Sequence, residues 1–92
     1  MTYKLVLTPE AERHLKEWGK SGQKKTLQKI ATLFEELQLH PKTGTGQVEQ
    51  LRGNLNGFWS RRIDKGSRII YKIEEEVVTV IVISLKGHYG DK

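Results

Sequence analysis

The chain has no cysteine among its 92 residues, which excludes disulfides, thiolate metal sites and thiol chemistry. That composition also suits a reducing compartment. Proline occurs only at Pro9 and Pro41, both where a helix is expected to begin or end. The longest apolar run, "VVTVIVISL", is far shorter than the roughly 20 residues of a membrane-spanning helix. The N-terminal "MTYKLVLTPE" has no basic region leading into an apolar one, so it does not read as a signal peptide. A cytoplasmic location is expected. His14, His40 and His88 stand far apart and form no H-x-x-x-H pair, so neither a metal nor a cofactor is expected. No G-x-S-x-G motif and no Walker-type loop is present, and "TGTGQ" follows a helix where a dinucleotide fingerprint would follow a strand.

Acidic residues are the minority charge, 11 against 16 Lys and Arg, for a net charge of +5. In so short a chain this favours an anionic partner: nucleic acid, a membrane surface or an acidic protein. The plainer alternative is a soluble protein with a lysine-rich surface. Hydrophobic residues make up 36% and charged residues 29%, a globular balance. The length fits a single domain over residues 1–92.

"YKLVLT" alternates, with Tyr3, Leu5 and Leu7 on one face of a first strand. Thr8 and Pro9 form a helix start, and Ala11, Leu15 and Trp18 make its apolar stripe until "GKSG" ends it. A second helix is expected over residues 23–39. Leu27, Ile30, Ala31, Phe34 and Leu37 face inward, and Lys24, Lys25, Gln28, Lys29, Glu35 and Glu36 face outward. His40-Pro41 ends it. Strands are expected in "VEQLRG", "FWSRRI" and "SRIIYKI". The run "VVTVIVISLK" reads as a central strand buried on both faces. The order β-α-α-β-β-β gives an α+β fold, an antiparallel-rich sheet with a two-helix hairpin on one face.

Strand parity then places the charges. In "FWSRRI" and "SRIIYKI" the sides carrying Trp59, Ile63, Ile69, Tyr71 and Ile73 should meet the helices. Arg62 and Arg68 therefore lie together on the open face, and Arg61 falls on the helix side as a solvated or capping residue. Neighbouring arginines repel unless an anion or a carboxylate stands between them. Glu49 is placed to be that carboxylate, and His88 follows the last strand toward the same region. Such a set suits RNA cleavage, in which the 2′-OH is the nucleophile, a base takes its proton and an acid protonates the leaving oxygen. Cations stabilise the charged phosphorane between them. The alternative is a structural Glu–Arg pair and a solvated tail histidine.

The segment from Lys42 to Tyr89 resembles the YoeB-type toxins of the RelE superfamily of toxin–antitoxin systems. The resemblance lies in P-x-x-G-x-G at Pro41–Gly46, E-x-L-[KR] at Glu49–Arg52 and N-L-x-G-x-W-S-R-R-I at Asn54–Ile63. It continues with S-R-I-I-Y at Ser67–Tyr71 and H-Y at His88–Tyr89. It implies a RelE-like fold and a ribosome-dependent mRNA endonuclease that cuts in the A site. It further implies Glu49 as general base, His88 as general acid, Arg68 on the scissile phosphate and Arg62 in support. Tyr89 is implied as the aromatic that positions the mRNA, and Arg52 as a basic neighbour of Glu49. Lys24 and Lys25 are further candidates for RNA contact through phosphates. An acidic, YefM-like antitoxin is the implied partner besides ribosome and mRNA, and many members dimerise. The alternative is a non-catalytic toxin on the same fold, such as a gyrase inhibitor, or a basic nucleic-acid-binding module.

Overall fold

The first helix starts where Thr8 and Pro9 require it. In the computed structural model, which describes residues 2–44 and 46–86, Thr8 is extended and its Oγ1 accepts a hydrogen bond from the Ala11 backbone N–H at 3.1 Å. Pro9 opens helix α1 (Pro9–Lys20), with Glu10 and Glu12 at the positive end of its dipole. The same Thr8 hydroxyl donates to the Ile83 carbonyl at 3.0 Å, tying the helix start to the last strand. Thr8→Ala is therefore expected to lose about 1–2 kcal/mol of stability, read by thermal denaturation. An unchanged melting temperature would show that neither bond contributes.

The elements are β1 (Lys4–Leu7), α1, α2 (Lys24–Leu39), β2 (Glu49–Gln50), β3 (Phe58–Asp64), β4 (Ser67–Glu74) and β5 (Thr79–Ser84). The sheet runs β1-β5-β4-β3-β2, with β1 parallel to β5 and the other pairs antiparallel. Gly22, at φ +77°, makes the turn between the helices. Asp64 accepts from the Gly66 N–H at 2.9 Å and closes the β3–β4 hairpin.

Both helices lie on one face of this sheet. Ala11, Trp18, Ile30, Leu33 and Leu37 pack against Ile63, Ile69, Tyr71, Val80, Val82 and Leu85. The strand parity read from the sequence holds, with Trp59 and Ile73 also packed against this core. Three expectations change. In α2 the buried stripe runs through Ile30, Leu33 and Leu37, and Ala31 is exposed. Strand β5 is paired along both edges, but only Val80 and Val82 enter the helix-side core. Ile81 lies half-buried, in register with Lys72 on the other face. The apolar run thus marks a strand with no exposed residue, whose second face is partly rather than fully buried. The strand expected over "VEQLRG" shrinks to Glu49–Gln50, continued by one bond from the Leu51 N–H to the Phe58 carbonyl. Among the described residues no helix is long and apolar enough to cross a membrane.

Candidate functional site

The ladder of β2, β3, β4 and β5 aligns Glu49 with Ser60, Ser60 with Ile70, and Ile70 with Ser84. Side chains directly opposite each other point to the same face of a sheet. Glu49, Ser60 and Ile70 therefore point away from the helices, and a register shift between Ile70 and Tyr71 separates Ser84 from Val82 on the helix side. The next rung on that face is Arg62 directly opposite Arg68. The arginines read from parity as neighbours are thus cross-strand partners. Glu49 reaches diagonally across, its Oε1 3.7 Å from Arg68 Nη1.

The charges on this face differ in freedom. The Glu49 side chain is 64% exposed, whereas that of Arg68 is 19% exposed. A pair this open to water adds little to folding stability. Beneath it, Ser60 is fully buried, and neither its Oγ nor the buried Nε of Arg62 has a hydrogen-bond partner among the described residues. Buried donors without acceptors are uncommon in folded chains. Ser60 is absent from the residues picked out by sequence. The only signal for it there is its shared parity with Arg62.

The adjacent arginines of "SRR" do different work. Arg61 is fully buried on the helix side, which corrects the expectation of a solvated residue and leaves the capping one. Its Nε donates to Tyr71 Oη at 3.2 Å and its Nη1 to Glu36 Oε1 at 2.9 Å. Its Nη2 donates to the carbonyls of His40 and Thr43, the latter at 2.6 Å. Glu36, expected on the outer face of α2, turns inward to meet it. Its position three residues after Leu33 places it at the edge of the buried stripe. Tyr71 donates in turn to the Pro41 carbonyl at 2.7 Å. Burial raises the Tyr71 pKa, so its hydroxyl stays protonated as that bond requires.

Arg52 lies exposed just after β2, ahead of the single turn Gly53–Leu55. Lys24 and Lys25 are exposed in the first turn of α2, in the helix layer and away from the face that carries Glu49. His88 and Tyr89 lie outside the described residues. The chain that leads toward them is held by α1. The Leu85 N–H donates to His14 Nδ1 at 3.2 Å, Trp18 Nε1 donates to the Leu85 carbonyl at 3.0 Å, and Lys86 pairs with Glu17. Among the described residues no His, Cys, Asp and Glu side chains group as they would around a metal.

Against known proteins, a family model described as the YoeB-like toxin of bacterial type II toxin–antitoxin systems matches residues 7–89. A toxin YoeB of Mycobacterium bovis is 38% identical over 69 residues, 75% of this chain and 79% of the relative. Among solved structures, a YoeB/ParE toxin from Agrobacterium tumefaciens superposes with a TM-score of 0.85 at 30% identity, covering 94% of this chain and 99% of that one. The YoeB of Staphylococcus aureus, solved in a heterotetrameric complex with YefM, superposes with a TM-score of 0.79 at 28% identity, over 95% of this chain and 98% of that one. The same Staphylococcus toxin is also known as a dimer.

Proposed function

Because the chain belongs to the YoeB-like toxin family of bacterial type II toxin–antitoxin systems, we propose that it is a ribosome-dependent endoribonuclease that cleaves mRNA in the A site. The observation that carries this reading is one open face holding Glu49, Arg62 and Arg68, with the carboxylate 3.7 Å from the Arg68 guanidinium. Glu49 takes the proton of the 2′-OH as that oxygen bonds to phosphorus. The bond from phosphorus to the 5′-oxygen breaks, and the leaving oxygen takes a proton from His88. The products are a 2′,3′-cyclic phosphate and a free 5′-hydroxyl. Arg68 and Arg62 stabilise the extra negative charge on the phosphorane, and such preorganised cations are often the largest single contribution.

The RNA is held through phosphates and stacked bases, as single-stranded RNA commonly is. Tyr89 supplies the stacking ring and Arg52 a phosphate contact beside Glu49. Lys24 and Lys25, in the helix layer, contact ribosomal RNA away from the cut. The free toxin is neutralised by an acidic antitoxin. The YefM complex of the Staphylococcus relative and the net charge of +5 support that partner.

The test is primer extension on one mRNA with and without translating ribosomes, comparing the intact chain with Glu49→Gln. Cuts inside codons that need ribosomes are expected, slowed about 10²–10⁴-fold in the variant by loss of the base. The absence of any ribosome-dependent cut by the intact chain would overturn the proposal. Inhibition of gyrase supercoiling would then turn it toward a non-catalytic toxin.

A further inference from the structure

Strand β2 is only two residues long, so its own pairing places Glu49 weakly. What precedes it is held elsewhere. Among the described residues from His40 to Gln47, three have positive φ: Gly44 at +122°, Gly46 at +93° and Gln47 at +53°. Such a backbone has little regular hydrogen bonding and needs external anchors. Arg61 supplies them from below, through the carbonyls of His40 and Thr43. Tyr71 holds the Pro41 carbonyl, and the Arg62 N–H donates to the Gly46 carbonyl at 2.6 Å. On the outer side Lys42 pairs with Glu75 at 3.0 Å, and Tyr3 donates to the same carboxylate.

The fit between loop and guanidinium is close. A Cβ on Gly44 would stand 2.5 Å from Glu36 Oε1 and 2.9 Å from Arg61 Nη1. A Cβ on Gly46 would stand 3.0 Å from the Arg62 carbonyl. The loop therefore rests on the Arg61 head group with no room for a side chain between them. Arg61 shares its strand with Arg62, which faces the other way and sits opposite Arg68. A single strand thus fixes both the arginines of the open face and the loop that delivers Glu49.

From this geometry we infer that Arg61 is a positioning residue for Glu49. By clamping the backbone at His40 and Thr43 onto β3, it sets the place of the Glu49 carboxylate relative to Arg62 and Arg68. This rests on the nuclease reading of the site. Lysine does not replace it, because a point charge on a flexible stem lacks the planar fork that reaches Glu36, Tyr71 and two carbonyls together. A misplacement of about 1 Å in a reacting group can cost about 10²-fold in rate.

The test compares the intact chain, Arg61→Lys and Gly44→Ala, each alone and combined with Glu49→Gln. Gly44→Ala disturbs the same loop from its other side, through this contact and through backbone strain at φ +122°. Where Arg61→Lys proves unfolded at the assay temperature, it therefore tests whether the loop places Glu49. Cleavage is followed in single turnover at saturating ribosomes, with ribosome affinity and thermal melting measured on the same samples. The folded variants are expected to bind ribosomes as the intact chain does, but to cut about 10–100-fold more slowly. In the Glu49→Gln background the same changes are expected to cost less than about 2-fold, because residues acting as a unit are not additive. A folded variant that cuts at the intact rate overturns the positioning role. So does an equal loss with and without Glu49, since that places the effect outside the base. Should the intact chain fail to cut with ribosomes, or Glu49→Gln cut as fast as the intact chain, the nuclease reading falls first and this inference with it.

Discussion

Arg68→Ala is expected to lower ribosome-dependent cleavage about 10²–10³-fold while leaving the chain folded. The expectation follows from where the guanidinium stands. It is mostly buried on the open face, opposite Arg62 in the ladder and 3.7 Å from Glu49. Cations fixed beside each other by a rigid sheet need no reorganisation when a phosphorane forms against them, and that preorganisation is what makes such groups effective. Folding gains little from the ion pair itself. The Glu49–Arg68 pair is open to water on the carboxylate side, and the two arginines repel each other. Truncating a side chain that is only 19% exposed removes packing as well as charge, so stability, read as melting temperature, should fall modestly, by about 0.5–3 kcal/mol. Arg68→Lys separates charge from shape. A lysine keeps the charge but lacks the fork that grips two phosphate oxygens together, so its rate should fall between those of the intact chain and Arg68→Ala. Intact cleavage in a folded Arg68→Ala variant would remove this residue from the phosphate site. A large loss of melting temperature in that variant would instead identify the pair as a structural one.

The residues that made this site legible from sequence are those governed by the pleat. A strand has a period of two, so Arg62 and Arg68 can be assigned to one face and Ile69 and Tyr71 to the other without knowing how the strands pair. The same rule put Arg61 on the helix side beside Trp59 and Ile63. It was the chemistry of the residue that misled, because an arginine among core positions is ordinarily solvated. The missing partner was Glu36, which helical spacing leaves at the border between the stripe and the outer face. Ala31 was expected inward for a similar reason. It and Leu33 are apolar on opposite edges of the same stripe, and only the packing of α2 against the sheet buries Leu33 and leaves Ala31 exposed. The parallel pairing of β1 with β5 and the brevity of β2 depend on contacts far apart in sequence, which local patterns do not encode. Nor does any pattern mark Gln47 as having positive φ, since glutamine seldom adopts it.

Arg61→Met is expected to be the most destabilising of the changes considered, by about 3–5 kcal/mol, the range for breaking a buried ion pair from one side. For a domain of this size each kcal/mol moves the melting temperature by about 4–8 °C, so the fall should be plain in a thermal scan. Two causes can be separated. One is the stranded carboxylate of Glu36; the other is the loss of donors to the His40 and Thr43 carbonyls. The Glu36 side chain is 25% exposed, so it has a route to water once its partner is gone. The two carbonyl bonds are part-buried, so each one left unmade costs toward the lower end of about 1–3 kcal/mol, and the buried bond to Tyr71 is lost with them. Arg61→Met combined with Glu36→Leu should therefore recover part of the loss, the share due to the stranded carboxylate. Recovery of most of it would identify the ion pair, rather than the clamp on the loop, as the main contribution of Arg61. The distinction bears on the site, because only the carbonyl bonds reach the backbone that leads to Glu49. If they dominate, the side chain that holds the molecule together is also the one that holds the base against the arginines.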